Sequence, residues 1–149
     1  MATYLVIQLL LPVRHHAIKD DVLWTEEGHR LSWRMMLRTR AGYSRFKVVD
    51  KETKEITNIN LEDYLTKKQR RKIGCYPDYI WQFAQRLKKE YAKKGQDISV
   101  YVTGKAKVNA GKYQSLIDPE VDLAAVPWNH FSHNEWILPS EGDKSAPKK

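Results

Sequence analysis

The 149-residue sequence predicts an α+β fold, a mostly antiparallel sheet with two amphipathic helices packed on one face. Several short segments alternate apolar and polar residues with a period of two, and two central segments show helical spacing. Their order, β-β-β-α-α-β-β, is typical of this class. We divide the chain into an apolar segment (1–13), an α+β extramembrane domain (14–139) and a disordered polar tail (140–149).

Residues 4–13 form an apolar run that is interrupted by Pro12. Ten residues are too few to span a membrane, which takes about 20, and a signal peptide would need a basic segment before the run. Two interpretations remain open. The run is a core strand or buried helix end, or it is the outer end of a transmembrane helix. The second predicts exposed side chains at Leu5, Ile7, Leu9 and Leu10.

An antiparallel meander of three strands is predicted after a polar loop at residues 14–27. In residues 31–37, apolar side chains occupy every second position, so Trp33 is expected in the core. Residues 43–49 form the second strand, with Phe46 and Val48 on its buried face. Residues 55–59 form the third strand.

Two helices are predicted next. Asn60 is suited to cap a helix that runs to about Ile73, and Pro77 is suited to the first turn of another, which ends at Gly95. The second helix repeats apolar residues at i, i+3, i+4 and i+7. A fourth strand is predicted at residues 98–103, a polar excursion at 104–111 and a fifth strand at 113–117.

The charge of the chain favours an acidic partner, because 26 Lys and Arg residues against 18 Asp and Glu give a net charge of +8. The basic runs at residues 67–72 and 88–94 lie on the predicted helices, where solvation alone would explain them. Stacking on nucleic-acid bases would require aromatic residues on the same surface. Phe83 and Tyr91 instead fall on the apolar helix face, which argues against that partner.

The sequence contains none of the common phosphate-loop, zinc-protease or nucleophile-elbow motifs. Cys75 is the single cysteine, so it forms no internal disulfide, and we expect a buried thiol. No metal site is predicted. The adjacent His15 and His16 are better explained as a surface loop than as a metal half-site.

Two segments have an unusual composition. Residues 24–38 combine two Trp, two Glu and three Arg around the first predicted strand. Arg34 and Arg38 share one face of that strand, where their guanidinium groups could bind a carboxylate through paired hydrogen bonds. An arginine-rich solvent face is the alternative. Residues 117–122 carry three carboxylates. These could bind a cation weakly, but a turn at Asp118 is the favoured interpretation, because Asp before Pro is typical of turns.

The chain resembles the vitamin K-dependent γ-glutamyl carboxylase family in three blocks. The first is the run at residues 4–12 followed by His15. The second is Trp24-Thr25 followed by Ser32-Trp33-Arg34-Met35-Met36, and the third is residues 117–122 followed by Trp128 and Trp136. The positions that carry the motif are Trp24, Ser32, Met35, Asp118, Pro119, Asp122 and Trp128.

The resemblance implies a membrane protein whose extramembrane domain lies on the periplasmic or lumenal side. It implies vitamin K hydroquinone as the cofactor of the full-length enzyme, with this chain not expected to bind it. The lysine base of the family belongs to an upstream membrane region and no lysine here matches it, so activity of the chain alone is not expected. The implied partners are a Glu-containing protein substrate and the membrane, with no nucleic acid.

The block before and through Ser32-Trp33-Arg34 matches the region that recognises glutamate in the family. The resemblance therefore implies substrate-binding roles for His29, Trp33, Arg34 and Arg38. His29 stands where the animal enzyme has tyrosine, so its charge would depend on pH. Two other functions remain open: a non-catalytic protein-interaction domain in a bacterial relative, and a nucleic-acid-binding module.

Overall fold

A computed structural model describes residues 2–13, 18, 22–27 and 39–140 of the chain. It contains a four-stranded sheet of order β2-β1-β3-β4, in which every pairing is antiparallel. The strands are β1 (Arg40–Asp50), β2 (Ile56–Ile59), β3 (Ile98–Val108) and β4 (Gln114–Ser115). The sheet and the accompanying helices confirm the predicted α+β class. The strand predicted at residues 31–37, with Trp33, and most of the tail fall outside the described residues.

Strand β1 is the centre of the sheet and pairs with β3 over its whole length. Phe46 lies opposite Val102 on β3 and opposite Ile59 on β2. In the middle of β1 (residues 43–48) and of β3 (residues 100–106), residues at even positions are buried and those at odd positions are exposed or half-buried. This alternation confirms the faces predicted for residues 43–49.

The prediction that β3 ends at residue 103 was wrong, because the strand continues to Val108. Gly104 and Ala106 continue its buried face, while Lys105 is exposed. Burial still alternates from residue to residue in this segment. The alternation is hard to recognise in the sequence, because the buried positions hold small residues instead of large apolar ones. The predicted fifth strand is reduced to the two residues of β4, followed by a bridge between Ile117 and Ile137.

The single helix predicted at residues 60–73 is two separate elements. Asn60 caps a 3-10 helix, Leu61–Asp63, through a hydrogen bond from the Glu62 backbone N–H. Helix α3 (Lys67–Ile73) starts afresh at Thr66, which forms a capping box with Gln69. This second cap provides partners for the backbone N–H groups of the first turn, so a new helix begins there.

Helix α4 (Pro77–Lys93) was predicted correctly and has Pro77 in its first turn. It buries Ile80, Phe83, Ala84 and Leu87 in the same core as the even positions of the sheet. The Phe83 ring packs edge-on against Phe46, with 4.9 Å between ring centroids. The C-terminal segment completes this core with a set of apolar residues: Leu116, Ile117, Leu123, Trp136 and Ile137.

The N-terminal run forms helix α1 (Ala2–Val13), so its interpretation as a core strand or buried helix end was wrong. Leu5, Ile7, Leu9 and Leu10 are 51–64% exposed, as expected if another surface covers them. No helix within the described ranges is both long enough and apolar enough to cross a membrane. A second short helix, α2 (Val22–Thr25), lies in the segment predicted to be a loop.

Strand β1 and the end of α3 approach each other at two glycines. A Cβ atom on Gly42 would collide with the carbonyl oxygen of Gly74, and a Cβ on Gly74 would collide with that of Gly42. The obstacle is backbone on both sides, so it cannot be relieved by rotation of a side chain. The contact fixes α3 directly beside the first half of β1.

We expect Gly42→Ala to lower the free energy of unfolding by about 1–3 kcal/mol, because one methyl group forces strand and helix apart. Gly74→Ala introduces the same collision from the helix side and should cost a similar amount. Urea unfolding of the two variants measures both losses. Wild-type stability in either variant would show that the backbones separate freely at this point.

Candidate functional site: a buried clamp around residues 24–40

The segment Trp24–Glu27 lies against the C-terminal part of the chain. Trp24 is buried in the core, and its indole N–H donates to the carbonyl oxygen of Leu138 at 2.7 Å. Thr25 is also buried. This short stretch, which immediately precedes the predicted substrate-binding block, is therefore held by partners more than a hundred residues away.

Glu27 is the centre of the contact, and its side chain is only 2% exposed. Its Oε1 accepts hydrogen bonds from the backbone N–H and the side-chain amide of Asn134, both at 2.6 Å. Its Oε2 lies 2.6 Å from Nδ1 of His133. A carboxylate oxygen accepts, so the His133 Nδ1–H donates in this pair. The three bonds provide the buried carboxylate with the partners it needs.

Asn134 connects Glu27 to a compact loop. Its amide donates to the carbonyl oxygen of Asn129, and its side-chain oxygen accepts from the Asn129 backbone N–H at 2.8 Å. The Asn129 side chain in turn accepts from the backbone N–H groups of Phe131 and Ser132. Residues 129–134 are thus ordered by side-chain hydrogen bonds, which explains how an irregular loop presents fixed donors to Glu27.

Arg40, at the start of β1, binds the same segment from the other side. Its guanidinium donates to the carbonyl oxygens of Leu23 at 2.7 Å and Trp24 at 2.9 Å. It also forms an ion pair with Glu26 at 3.2 Å, in which both side chains are almost completely buried. A fourth bond, from Nε, reaches the carbonyl oxygen of Cys75. We call Glu27, His133, Asn134 and Arg40 the clamp.

The thiol of Cys75 lies beside the clamp and is buried, as predicted. Burial raises the pKa of this thiol above its ordinary value, because desolvation disfavours the thiolate, and the positive charge of Arg40 opposes the shift only in part. The Cys75 thiol donates to the carbonyl oxygen of Arg71. These properties are typical of a structural cysteine rather than a nucleophile.

The sequence-predicted site residues fall into two groups. Trp24, Asp118, Pro119, Asp122 and Trp128 lie in the described part of the chain, whereas six others lie outside it: His29, Ser32, Trp33, Arg34, Met35 and Arg38. His15 and His16 are also outside the described residues. The structure brings Trp24 to the clamp and leaves the predicted substrate contacts without a described position.

The carboxylates of Asp118 and Asp122, in the acidic segment at residues 117–122, accept hydrogen bonds from backbone N–H groups. Asp118 accepts from the backbone N–H of Glu120, as in a turn. Asp122 accepts from the backbone N–H groups of Val100 and Ala124, and the Leu123 N–H donates to the Val100 carbonyl oxygen at 2.9 Å. These contacts pair the segment with the edge of β3. Within the described ranges, no three His, Cys, Asp or Glu side chains form a possible metal site.

Trp128 belongs to an aromatic cluster close to the clamp loop. Its ring centroid lies 6.0 Å from that of Trp81 on α4 and 5.8 Å from that of Trp136. Trp81 also donates to the carbonyl oxygen of Val126 at 2.8 Å. The cluster connects α4 to the C-terminal segment, so the motif position Trp128 lies in a packed and half-buried environment.

The outer face of the sheet is strongly basic. Neither strand carries Asp or Glu within residues 41–49 and 99–107. Tyr43 faces Lys105 and lies 6.3 Å from Tyr113, between ring centroids, while the Lys107 ammonium stands over the Tyr113 ring. We call this surface the cationic face, and its charged members are Arg45, Lys47, Lys105 and Lys107.

Sequence reasoning placed Arg45 and Lys47 on one face, but it missed the whole clamp. Glu27 and Asn134 are 107 positions apart, and no spacing rule connects such residues. The sequence contained one weak indication of the clamp, because two adjacent acidic residues directly follow the mainly apolar helix α2. Only the fold shows that Glu26 and Glu27 are buried and have separate partners.

The grooves among the described residues do not fit the hydroquinone cofactor that the resemblance implies. One, of about 460 Å³ between α3 and α4, has Phe83 and Ile73 but also Lys72, Arg86 and two glutamines in its walls. Two more, of about 520 and 500 Å³, are also open to solvent and carry several charged side chains. Cofactor pockets are mainly apolar and enclose their ligand, so no chemical step is assigned to these grooves.

The family model described as vitamin K-dependent gamma-carboxylase, lumenal domain, matches residues 1–143. No curated protein matches the chain, and no solved structure does.

Proposed function

Because the chain belongs to the family of the vitamin K-dependent gamma-carboxylase lumenal domain, we propose that it binds a Glu-containing polypeptide through residues 28–38. It holds the polypeptide for carboxylation by the full-length protein. The observation that carries this proposal is the clamp, which holds the chain on both sides of the block that resembles the glutamate-recognition region.

The clamp brings together the described residues that flank the block, since Arg40 forms an ion pair with Glu26 at 3.2 Å. Glu27 anchors the chain before the block, and Thr39 follows it with a backbone hydrogen bond to the Asn109 side chain. Arg40 then donates back to Trp24, which precedes the block. A binding segment with both ends fixed loses less conformational freedom when a ligand binds.

In this proposal the chain contributes recognition, and the vitamin K hydroquinone chemistry belongs to the rest of the protein. Arg34 and Arg38 supply guanidinium groups that match a carboxylate, and His29 supplies a further hydrogen-bonding group. The excess of basic residues and the cationic face support an acidic polypeptide partner.

We further propose that the domain lies at a membrane surface on the periplasmic or lumenal side. The exposed apolar side chains of α1 support this, since Leu5, Leu9 and Leu10 remain uncovered by the described parts of the chain. In this arrangement α1 is the outer end of a membrane helix, and the block after Glu27 follows it closely in sequence.

We expect Arg34→Ala in the full-length protein to weaken the use of a Glu-containing peptide by about ten- to a hundred-fold. One lost charge-assisted hydrogen bond costs about 1.5–3 kcal/mol, and 1.4 kcal/mol corresponds to tenfold. Peptide kinetics measure the loss. Arg86→Ala, at an exposed arginine of α4, is the matched control, and His29→Tyr should be tolerated. Unchanged turnover and Michaelis constant for Arg34→Ala would refute a substrate role.

A second candidate function is polypeptide binding without carboxylation, as in a non-catalytic relative. The cationic face favours it, since four basic side chains and neighbouring tyrosines suit an acidic partner whether or not chemistry follows. Incorporation of ¹⁴CO₂ into a Glu peptide, with reduced quinone and the full-length protein, separates the two functions. Binding without incorporation would support the second.

A further inference from the structure

The cations of the cationic face form a single line across the outer surface of the sheet. Residues i and i+2 of a strand lie on the same face, about 6.8 Å apart. Lys47 and Arg45 occupy two successive outward-facing positions of β1. Lys105 and Lys107 of β3 lie opposite the next two outward-facing positions of β1. The line therefore crosses from one strand to the other and places a cation at each of four successive levels, over about 20 Å.

A side chain with a hydroxyl group lies directly opposite each of the first three cations. The pairs are Lys47 with Tyr101, Arg45 with Thr103 and Lys105 with Tyr43. Opposite residues of an antiparallel pair have Cβ atoms about 4.5–5.5 Å apart. Each pair therefore brings a charged donor and a hydroxyl donor within reach of one small ligand group. We call these three pairs the cation–hydroxyl ladder.

The ladder is accessible to a ligand. Arg45, Lys47 and Lys105 are exposed, and none of the three forms an ion pair with the residues that the structure describes. Tyr43 is 48% exposed, and its hydroxyl makes no hydrogen bond with the described chain. Like charges at this spacing repel one another, so a ligand that supplies negative charge stabilises the face.

Carboxylates at alternate positions of an extended polypeptide match this arrangement. A carboxylate has two oxygen atoms, so one can accept from the cation of a pair and the other from its hydroxyl. In an extended chain, the side chains of alternate residues point the same way and repeat about every 6.8 Å. The ladder has nearly the same repeat, and the long side chains of Arg45 and Lys105 cover the slightly larger diagonal step between the strands.

We propose that the cation–hydroxyl ladder binds an extended segment of the polypeptide partner in which every second residue is acidic, with one carboxylate at each pair. The inference rests on the proposed function and adds a contact made by residues outside 28–38. The cations supply attraction to any acidic chain, whereas the fixed spacing of the pairs selects among acidic chains.

Two eight-residue peptides of the same composition test the spacing. In one, Glu and Thr alternate; in the other, the sequence Glu-Glu-Thr-Thr occurs twice. Diffuse attraction treats them alike, because both carry four carboxylates. We expect the alternating peptide to bind the intact protein about tenfold or more tightly in fluorescence anisotropy, because the other presents only half of its carboxylates on one side. Equal affinities would overturn the proposal.

Removal of hydroxyl groups tests the pairs without a change in charge. Tyr43→Phe with Tyr101→Phe should weaken binding of the alternating peptide about fivefold or more, since two hydrogen bonds are lost. Tyr113→Phe is the matched control, because Tyr113 is an exposed tyrosine near this face that lies outside the ladder. Wild-type affinity in the double variant would show that the hydroxyls do not bind the peptide, and the proposal would fail.

Removal of charge tests the location of the contact. Arg45→Gln with Lys105→Gln should weaken binding of the alternating peptide about tenfold or more. Lys89→Gln with Lys93→Gln is the matched control, because it removes the same charge from exposed positions of α4. Equal weakening by both doubles would overturn the proposal in favour of diffuse attraction. Competition by anionic phospholipid vesicles or a single-stranded oligonucleotide that equals competition by unlabelled peptide would also overturn it.

The outcomes separate this inference from the proposed function. If the wild-type protein binds neither acidic peptide, both fail. If Arg34→Ala weakens binding while Arg45→Gln with Lys105→Gln binds like wild type, only the ladder proposal fails. If the reverse holds, the ladder stands and the role proposed for residues 28–38 fails. Equal melting temperatures for the double variants and the wild type show that folding is unaffected.

Discussion

Replacing Arg40 with methionine is expected to lower the free energy of unfolding by about 3–5 kcal/mol, the range for breaking a buried charged network. The substitution keeps the aliphatic length but removes the guanidinium hydrogen bonds to the carbonyl oxygens of Leu23, Trp24 and Cys75. It also removes the buried ion pair between Arg40 and Glu26. Urea unfolding of the whole chain measures the loss.

Arg86→Met is the matched control for this measurement. Arg86 pairs with Glu90 one helical turn away, and both side chains are partly exposed. Exposed pairs of this kind contribute about 0.3–0.5 kcal/mol. If Arg40→Met and Arg86→Met gave equal losses, the contacts of Arg40 would not hold residues 23–26 in place.

Glu27→Ala is expected to cost about 3–5 kcal/mol for a related reason. It removes the carboxylate that accepts from the His133 ring and from both N–H groups of Asn134, in a contact where Glu27 and Asn134 are buried. Glu27→Gln retains an acceptor for Asn134 and should cost less. Chemical unfolding compares the two variants.

Glu120→Ala, at an exposed acidic residue, provides the baseline for this comparison and should change stability by less than about 0.5 kcal/mol. We expect the largest loss in free energy of unfolding for Glu27→Ala, a smaller loss for Glu27→Gln and the smallest for Glu120→Ala. Three equal losses would show that the Glu27 carboxylate does not hold the loop at residues 129–134.

The elements that the sequence predicted well are those whose residues make repeated local patterns. Helix α4 has apolar residues at i, i+3, i+4 and i+7 and Pro77 at its start, so its position followed from the local sequence. Strand β1 alternates without interruption around Phe46. In both cases the side chains that decide the structure are neighbours in the sequence.

The errors have a different physical origin. At Thr66, a capping box with Gln69 competes with continuation of one helix, and the 60–73 prediction did not weigh that cap. In β3, Gly104 and Ala106 occupy buried positions, and a Cβ atom on Gly104 would lie only 3.1 Å from the Ser44 hydroxyl oxygen of β1. Neither glycine nor alanine marks a strand by its own preference.

The sequence predicted which segment of the chain contains the candidate site, but not the contacts that form it. Trp24 and the block after it were identified by a resemblance, and the family match over residues 1–143 agrees with that resemblance. The clamp depends on Glu27 meeting Asn134 and on Arg40 returning to Trp24. These contacts are made by the tertiary fold, so local patterns contain no information about them.

The contact of Asp122 and Leu123 with β3 has a consequence for self-association. Asp122 and Leu123 occupy the hydrogen-bonding groups of Val100, and residues 114–116 pair with residues 104–106 on the same side of the sheet. An open strand edge on both sides of a sheet would allow copies to join end to end without limit. Within the described chain only the β2 side is open, so edge pairing between two copies uses the same edge twice and stops at a dimer.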